Sequence, residues 1–254
     1  MKGKVASYSC YQSDLAVAEY CDAHYGPDKF RVGNFSATLI KHCLARMEDA
    51  SRRRALDLGC AVGRSSFELA VYFDKVVAID YSSRFIDIAR RIQRRGVACY
   101  CLVEEGVVLS DHRVALAELG LAQTADKVTF QQGDALNLDE EYGRFDLVLA
   151  ANLIDRLSRP AKFLANIHRR LAPGGLLVIA SPYDWQESFT PCRCWLGGRF
   201  HAGSPRFGQE ALGRQLRRHF IMDCPPINQE FILRRTARTF YHNISQVTFW
   251  RCEG

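Results

Sequence analysis

The sequence predicts an α/β protein built on a doubly wound, mostly parallel sheet of seven strands, with an N-terminal helical cap and a β-hairpin insertion. Three observations lead to this fold class. Strand-like and helix-like patterns alternate over residues 55–180, which is typical of a parallel sheet. Residues 145–151 are almost entirely apolar, as a strand buried on both faces requires. A chain of 254 residues is long enough to bury a substantial core as one domain.

The first 50 residues predict a cap of two helices. Apolar residues recur at helical spacing over 14–21 and 35–47, and Gly26-Pro27 separates the two runs. Polar and aromatic residues crowd into the segment between them, and a segment before the first strand commonly closes over the ligand in folds of this kind. Simple packing is the alternative. Three residues of this segment are candidates for substrate contact: Tyr25, Phe30 and Asn34.

Residues 55–66 predict the ligand-binding centre, a strand followed by a glycine loop and a helix over 65–73. Gly59 and Gly63 allow the backbone to approach a ligand, and the helix N-terminus supplies free N–H groups. The spacing is D-x-G-x-x-x-G, with Ala61 at the central position, whereas a dinucleotide fingerprint is G-x-G-x-x-G. A ligand without a pyrophosphate is therefore favoured, and a plain tight turn is the alternative.

Polar residues stand at the ends of the predicted strands. Asp80 ends the second strand, 21 residues after Gly59, where an acid can accept hydrogen bonds from both ribose hydroxyls. In open α/β sheets the ligand lies outside the carboxyl ends of the strands, near the switch point. The sequence places four polar residues there: Asp57, Asp80, Asp134 and Asn152.

The remaining elements follow in order. They are a helix over 84–95, a hairpin around Gly106 within 97–109, a helix containing 115–121, a strand over 128–131, a helix over 160–171, a strand over 176–180, a helix over 209–219, and terminal antiparallel strands over 230–233 and 247–250. Residues 181–206 show no periodicity, and a loop of that length is usually functional or disordered. We expect its large aromatic residues to wall the substrate pocket: Tyr183, Trp185 and Trp195.

Composition limits the function classes. With 48% hydrophobic and 24% charged residues, the chain resembles an ordinary soluble protein, and no apolar run approaches the ~18 residues of a membrane helix. The N-terminus lacks the apolar core of a signal peptide, so we expect a cytoplasmic protein away from membranes. Ten cysteines without a C-x-x-C pair predict reduced thiols and no metal site. The net charge of +6 predicts a solvated basic surface, since no recognisable nucleic-acid-binding module accompanies it.

The stretch Asp57-Leu-Gly-Cys-Ala-Val-Gly resembles motif I of the class I S-adenosylmethionine (SAM)-dependent methyltransferases, which have a Rossmann-like fold. The resemblance implies SAM as cofactor and S-adenosylhomocysteine as product. It implies that Asp57 supports the glycine loop and the methionine ammonium, that Asp80 binds the ribose, and that Asp134 binds the adenine amino group. The implied cofactor-binding set is Asp57, Gly59, Cys60, Gly63, Asp80, Tyr81, Asp134, Ala135 and Asn152.

Methyl transfer from a sulfonium needs little covalent chemistry from the protein. The methyl group is already activated, so the protein supplies proximity, orientation and desolvation. This agrees with a sequence that shows no Ser-His-Asp set. The tetrapeptide D/N-P-P-Y/F is missing after the fourth strand, which argues against methylation of a nucleobase amine.

A narrower resemblance rests on Tyr25-Gly-Pro, Ala150-Ala-Asn-Leu-Ile-Asp-Arg-Leu, Ser181-Pro-Tyr and Trp195-Leu-Gly-Gly, together with the glycine loop. These stretches are similar to the ovothiol-biosynthesis methyltransferase family. The resemblance implies Nπ-methylation of 5-thiohistidine, and the chemistry of the reaction also admits the selenium analogue of this substrate. Sulfur insertion would then belong to a separate iron-dependent sulfoxide synthase, a candidate partner. The expected organisation is one domain over 1–254, with the cap at 1–50, the cofactor core at 51–180, and the substrate loop with the C-terminal strands at 181–254.

The expected catalytic residues are Asn152, Tyr25 and Asn34, which would orient the imidazole ring through an amide or phenol. Arg206, Arg234 and Arg235 are candidates for binding the substrate carboxylate. Asp155 and His24 are the fallback candidates for a general base. Three alternatives remain open: another small-molecule methyltransferase, an RNA or protein methyltransferase, and a SAM-binding protein without catalysis.

Overall fold

The structure is a computed structural model that describes residues 14–47 and 50–253. Its helices are α1 (Asp14–Tyr25), α2 (Phe35–Leu44), α3 (Arg64–Tyr72), α4 (Ser83–Arg95), α5 (Pro160–Asn166) and α6 (Gly208–Leu216). Its strands are β1 (Arg54–Leu58), β2 (Lys75–Asp80), β3 (Val97–Glu105), β4 (Val108–Ala115), β5 (Val128–Gln132), β6 (Phe145–Ala151), β7 (Leu171–Ser181), β8 (Arg199–His201), β9 (Ser204–Arg206), β10 (Phe220–Met222), β11 (Ile227–Arg234) and β12 (Phe240–Cys252).

The central sheet of the described residues has the order β10-β12-β7-β6-β1-β2-β5, with β11 paired to β12. Strands β7, β6, β1, β2 and β5 are parallel, and β12 is antiparallel to β7. The chain winds outward from β1 through β2 to β5, and then from β6 through β7 on the other side. The switch point therefore lies between β1 and β6. The predicted doubly wound, mostly parallel sheet is confirmed, with eight strands because the short β10 pairs with the end of β12.

Helices cover both faces of the sheet. The first six residues of β6 are buried, in agreement with its apolar sequence. Helices α1 to α4 pack on one face, where Leu39, Phe67 and Phe130 belong to one core cluster. Helices α5 and α6 pack on the other face, where Phe163 and Leu212 belong to a second cluster. The strand ends between these two layers are the place where a ligand can reach the sheet.

The predicted hairpin insertion is confirmed as β3 and β4, which form a separate two-stranded sheet. Alternate residues of β3 face inward, so Ala98, Tyr100 and Leu102 are buried while Cys99 and Cys101 are exposed. Helix α1 packs against β3 and β11. The cap, the insertion and the C-terminal hairpin therefore meet on one side of the molecule.

The helix predicted over residues 115–121 is wrong. Strand β4 continues to Ala115, and the chain then turns, with the Leu121 N–H bonded to the Leu116 carbonyl at 2.8 Å. Gly120 has φ +72°, a left-handed conformation that ends a helix. A short 3-10 helix, Ala122–Lys127, follows. The helix predicted over 160–171 also ends early, at Asn166, and continues as a 3-10 turn.

Within the residues that the structure describes, no helix has both the length and the apolar character needed to cross a membrane.

Candidate active site

A cavity of about 1420 Å³ opens at the carboxyl ends of β1, β2, β5 and β6. A pocket for one drug-sized ligand typically has about 300–1,000 Å³, so this cavity has room for two small ligands side by side. Its lining comes from the cap, the glycine loop, the residues after the parallel strands, the segment 182–191 and the β11–β12 hairpin. The cavity therefore lies at the strand ends, where the sequence places the ligand.

The glycine loop forms one wall through its backbone. Gly59 has φ +74° and lines the cavity, whereas Gly63 has φ +93° and does not. A Cβ on Gly63 would lie 2.7 Å from the ring of Phe130, so this position needs glycine for packing at the start of α3. Gly63 therefore shapes the loop from behind the cavity wall, which corrects its expected place in direct cofactor contact.

Asp57 is buried at the end of β1 and lines the cavity. Its Oδ2 accepts a hydrogen bond from the Ser66 hydroxyl at 2.6 Å. Burial raises the pKa of Asp57 to about 7, the Ser66 hydrogen bond opposes this rise, and the neighbouring Asp80 adds to it. A cation bound nearby would restore the ionised form.

Asp80 connects two loops at the end of β2. Its Oδ2 accepts from the backbone N–H of Ala61 at 2.9 Å, and its Oδ1 accepts from that of Ser82 at 2.8 Å. Burial raises its pKa to about 6, against the opposing effect of these two hydrogen bonds. Since each carboxylate oxygen has a further acceptor site, Asp80 remains able to bind a diol.

Asp134 follows β5 and also lines the cavity. Its Oδ1 accepts from the Leu136 N–H at 2.8 Å, and its Oδ2 accepts from the Asn137 amide at 2.8 Å. The adjoining Gly133 N–H is bonded to the Asp80 carbonyl at 2.9 Å, so the loops after β2 and β5 are held together. Three further residues of the expected cofactor set line the same cavity: Cys60, Tyr81 and Ala135.

Asn152 follows β6 in a left-handed conformation, with φ +52°. Non-glycine residues seldom adopt it, and Asn is among those that do. The backbone N–H is bonded to the Ala180 carbonyl at 2.8 Å, and the side-chain Oδ1 accepts from the Ser245 hydroxyl at 2.6 Å. Asn152 lines the cavity, at the point where the glycine-loop side meets the C-terminal hairpin.

Tyr25 has a different place from the expected one. It is buried, its hydroxyl donates to the Val62 carbonyl at 2.7 Å, and it does not line the cavity. Burial raises its pKa well above the usual value. Tyr25 therefore joins the cap to the glycine loop, which corrects its expected role as an orienting phenol.

The roles expected for Asn34 and Phe30 also need correction. Asn34 caps α2: its Oδ1 accepts from the Ala37 N–H at 3.1 Å, and its amide donates to the carbonyls of Ala23 and His24. The residue lines the cavity, but its polar atoms are used by the backbone. Phe30 is 68% exposed and packs edge-on against Phe240, outside the lining.

The aromatic residues of the long loop also lie outside the lining. The Tyr183 hydroxyl donates to the Gln246 side chain at 3.1 Å. The Trp195 indole N–H donates to the Thr190 carbonyl at 2.7 Å, and Trp185 packs against the second core cluster. These aromatics support the wall from behind. The loop residues that line the cavity are Pro182, Asp184, Glu187, Ser188, Phe189 and Pro191.

The arginines expected to bind a carboxylate do not reach the cavity. Arg234 pairs with Glu104 at 2.7 Å, and Arg235 pairs with Glu19 at 2.7 Å. Arg206 ends the small strand β9, and its carbonyl accepts from the Gly198 N–H. Each therefore has a place in the surface structure, which corrects the expectation of a direct contact.

The two fallback candidates for a general base, His24 and Asp155, are both hydrogen-bonded within the protein. His24 lines the cavity, but its Nδ1 accepts from the Arg64 backbone N–H at 3.3 Å, and burial followed by the charge of Arg64 lowers its pKa to about 3. It is thus a neutral donor. Asp155 is buried, and burial raises its pKa while Arg156 opposes this. Its Oδ2 lies 2.9 Å from Arg156 Nη1, and Ser181 donates to its Oδ1 at 3.3 Å.

The cavity has an acidic lining. Seven carboxylates line it among the described residues: Asp28, Asp57, Asp80, Asp134, Asp155, Asp184 and Glu187. In the described part of the chain, Lys29 and Arg156 are the two lining residues that bring positive charge. Both are paired, Lys29 with Asp22 at 3.0 Å and Arg156 with Asp155 and Asp184 at 2.9 and 3.0 Å. The lining therefore favours a ligand that carries positive charge.

Sequence reasoning missed the part of the wall that the C-terminal hairpin forms. Phe231 lies opposite Asn243, and Leu233 lies opposite Tyr241; all four line the cavity. They share one face because residues two apart in a strand point the same way. Ile232, which lies between Phe231 and Leu233, also lines the cavity, so the signal in the sequence of β11 is the apolar run 231–233 and not a period of two.

Comparison with known proteins agrees with this geometry. A family model described as a methyltransferase domain matches residues 33–219. Norajmaline N-methyltransferase from Rauvolfia serpentina is 31% identical over 139 residues, which cover 53% of this chain and 38% of that protein. Tocopherol O-methyltransferase from Arabidopsis thaliana is 30% identical over 136 residues, covering 53% of this chain and 31% of that protein. The match spans less than half the length of these curated relatives.

Solved structures share the fold. The N-methyltransferase NodS from Bradyrhizobium japonicum WM9, in complex with S-adenosylhomocysteine, has a TM-score of 0.56 and 17% identity, covering 98% of this chain and 99% of that chain. The [4+2]-cyclase SpnF has a TM-score of 0.60 and 16% identity, covering 96% and 95%. Identities this low show the fold alone, and the second structure shows that the fold also occurs in a cyclase.

Proposed function

Since this chain belongs to the class I SAM-dependent methyltransferase family, whose methyltransferase-domain model matches residues 33–219, we propose that it methylates a ring nitrogen of a small imidazole substrate. The strand-end residues fit SAM. Gly59 brings the backbone to the cavity, and Asp57 and Asp80 provide carboxylates for a ligand with an ammonium, a sulfonium and a ribose diol. Apolar side chains adjoin these acids in the lining, among them Ile79 and Leu136.

The position of Asn152 carries this proposal. Strand β6, which it follows, lies beside β1, so Asn152 is near the glycine-loop side of the cavity. Its side chain is bonded to Ser245 of β12, the strand that also carries the lining residues Tyr241 and Asn243. A substrate that contacts Asn152 would therefore lie beside the cofactor end of the cavity.

When bound, SAM supplies a methyl group that is already activated, and the ring nitrogen gains it as the methyl–sulfonium bond breaks and leaves S-adenosylhomocysteine. The residues of the chain hold the ring in line and exclude water. The proton on the second ring nitrogen can remain in place, so no strong base has to act. The fallback base His24 would be a weak base, because its pKa is lowered to about 3.

We propose 5-thiohistidine, or its selenium analogue, as the substrate. Support comes from the stretches that resemble the ovothiol-biosynthesis family, because parts of three of them line the cavity, although Trp195-Leu-Gly-Gly does not. Residues 151–153 and 155–157 line it, as do Gly26-Pro27 and Pro182. Glu187 lines this part of the cavity and can pair with the α-ammonium group of an amino acid, whereas Asp155 and Asp184 are already paired with Arg156. In this proposal a separate protein inserts the sulfur and is the candidate partner.

A second candidate is another small cationic amine. The acidic lining favours it, and norajmaline N-methyltransferase is among the relatives. The same lining argues against an RNA substrate, because phosphates would meet carboxylates at the mouth of the cavity. A small molecule is therefore the class that the electrostatics support.

The experiment is mass spectrometry of 5-thiohistidine incubated with SAM and the protein. The proposal expects a product with one added methyl group and an equal amount of S-adenosylhomocysteine. Asn152→Ala, with its SAM binding checked by calorimetry, is the matched control and should form much less product. If SAM binds normally but 5-thiohistidine is not methylated, this substrate is excluded, and a panel of small amines tests the second candidate.

A further inference from the structure

Asn152 is held in one orientation by two independent contacts. Its backbone has φ +52°, and its N–H is bonded to the Ala180 carbonyl of β7 at 2.8 Å. A left-handed conformation is unfavourable for a residue other than glycine and persists only where surrounding contacts stabilise it. This conformation fixes the direction in which the side chain leaves the backbone.

The second contact fixes the rotation of the carboxamide. Ser245 lies on β12, is fully buried, and donates to Asn152 Oδ1 at 2.6 Å. An amide has one acceptor end and one donor end. Because the acceptor end of the Asn152 amide receives the Ser245 hydroxyl, its donor end, the NH₂ group, remains for a ligand. Among the described residues no acceptor is hydrogen-bonded to Asn152 Nδ2, and Asn152 lines the cavity.

We propose that Ser245 is a positioning residue that turns the NH₂ group of Asn152 toward the substrate. This NH₂ group then donates a hydrogen bond to an anionic atom of the substrate. This inference rests on the proposed function, in which that atom is the thiolate sulfur, or selenolate selenium, of the substrate. It differs from the contact expected from sequence, since a ring N–H would need the acceptor end of the amide.

This contact has a consequence for selectivity. A thiolate is a stronger nucleophile than a neutral ring nitrogen and competes for the same methyl group. A hydrogen bond from the Asn152 amide weakens the nucleophile and holds it at a fixed position, so the nitrogen lone pair is the group in line with the methyl carbon. In the competing reaction a sulfur–carbon bond forms instead, and S-adenosylhomocysteine is released in both cases.

The test compares Ser245→Ala with Thr248→Val. Thr248 is also fully buried on β12, and its hydroxyl donates to the Ile179 carbonyl at 3.2 Å, so both changes remove one buried hydroxyl from the same strand. With SAM and 5-thiohistidine, Ser245→Ala should raise the KM for 5-thiohistidine about fivefold or more and yield S-methyl product. Thr248→Val should keep the KM within about twofold and yield only N-methyl product. Equal behaviour of the two variants would overturn the positioning role.

A spectroscopic readout separates this inference from the proposed function. In protein labelled with ¹⁵N-asparagine, the NH₂ signals of Asn152 are identified by their loss in Asn152→Asp. Ser245→Ala should shift these signals and Thr248→Val should not; unshifted signals in Ser245→Ala overturn the positioning role whichever substrate is used. If wild-type protein does not methylate 5-thiohistidine, the proposed function fails. The assignment of sulfur as the atom that accepts the hydrogen bond from Asn152 then fails as well.

Discussion

The two ends of the cavity are built by different means. At the cofactor end, Asp57 and Asp80 end neighbouring strands whose pairing, Leu58 opposite Ile79, sets their relative position. At the substrate end, the wall combines the cap, the segment 182–191 and the β11–β12 hairpin, which are far apart in the chain. The first arrangement depends on the backbone of the sheet, whereas the second depends on a few side-chain contacts between segments.

This difference separates the expected effects of substitutions. A change at Asp57 or Asp80, at the cofactor end, should alter SAM affinity, because the sheet keeps every other group in place. A change at the substrate end should alter KM or turnover and leave SAM affinity intact. The four predictions below test this separation, beginning with the largest expected effect.

Asn152→Ala should lower turnover about a hundredfold, a loss of the size that orientation effects produce. SAM affinity should remain near the wild-type value, since the glycine loop and Asp80 are unchanged. Steady-state kinetics and calorimetry on the same preparation measure the two quantities. A fall in SAM affinity as large as the fall in turnover would place Asn152 at the cofactor end instead.

Asp80→Ala should weaken SAM binding about tenfold or more, because it removes two hydrogen bonds to the ribose and the contact that holds the Ala61 N–H. The matched control is Asp74→Ala, an exposed acid just before the opposite end of β2. Calorimetry should show unchanged affinity for the control. Unchanged affinity in Asp80→Ala would contradict the assignment of the ribose site.

SAM affinity should fall roughly tenfold between pH 7.5 and pH 5.5. Burial raises the pKa of Asp57 to about 7 and that of Asp80 to about 6, so both carboxyls take up protons in this range. Asp57 then loses its attraction for the ammonium group of SAM, and Asp80 becomes a weaker acceptor for the ribose hydroxyls. The folding stability of the SAM-free protein should depend on pH in the opposite direction. Because the pKa values of Asp57 and Asp80 are higher in the folded than in the unfolded protein, these two groups stabilise the fold most below about pH 4. This contribution to stability is lost as the pH rises through 6 to 7.

Asp57→Asn provides the control for this pH dependence, because the amide cannot titrate. Its SAM affinity should vary less over the same pH range than that of the wild type. A wild-type affinity that is flat from pH 5.5 to 7.5 would show that the ionised carboxylates of Asp57 and Asp80 do not contact bound SAM.

Tyr25→Phe should have the smallest effect on catalysis. The change leaves the buried Val62 carbonyl without its donor, which costs on the order of 1–3 kcal/mol of unfolding free energy. Turnover should stay within about twofold, since Tyr25 does not line the cavity. Denaturant unfolding and kinetics measure the two. A hundredfold loss of turnover would restore the role expected from sequence.

The cofactor end was accessible from the sequence because its determinants are local. The strand, the glycine loop and the following acid are neighbours in the chain, and the carboxyl ends of parallel strands meet at one edge of the sheet. Asp57, Gly59, Asp80 and Asp134 could therefore be placed before the structure was known. Gly63 was the exception, because its packing against Phe130 comes from a distant strand.

The substrate end was harder to predict from the sequence, because the type of a residue does not reveal where its side chain points in the fold. Tyr25, Asn34 and Tyr183 have the chemistry of binding residues, but their polar groups are used by Val62, by the backbone of the cap and by Gln246. The partner of Asn152, Ser245, is 93 residues away in the chain. Such pairings depend on the tertiary fold, which no local pattern records.

The central claim, transfer of a methyl group from SAM to a ring nitrogen, is tested most directly by following a labelled methyl group. 5-Thiohistidine is incubated with the protein and with SAM carrying ¹³C in the methyl group, and long-range NMR correlations identify the atom that bears the label. We predict a label on Nπ, seen as a correlation to the ring carbon that carries the amino-acid side chain. A label on sulfur, or no transfer by protein that binds SAM normally, would contradict it.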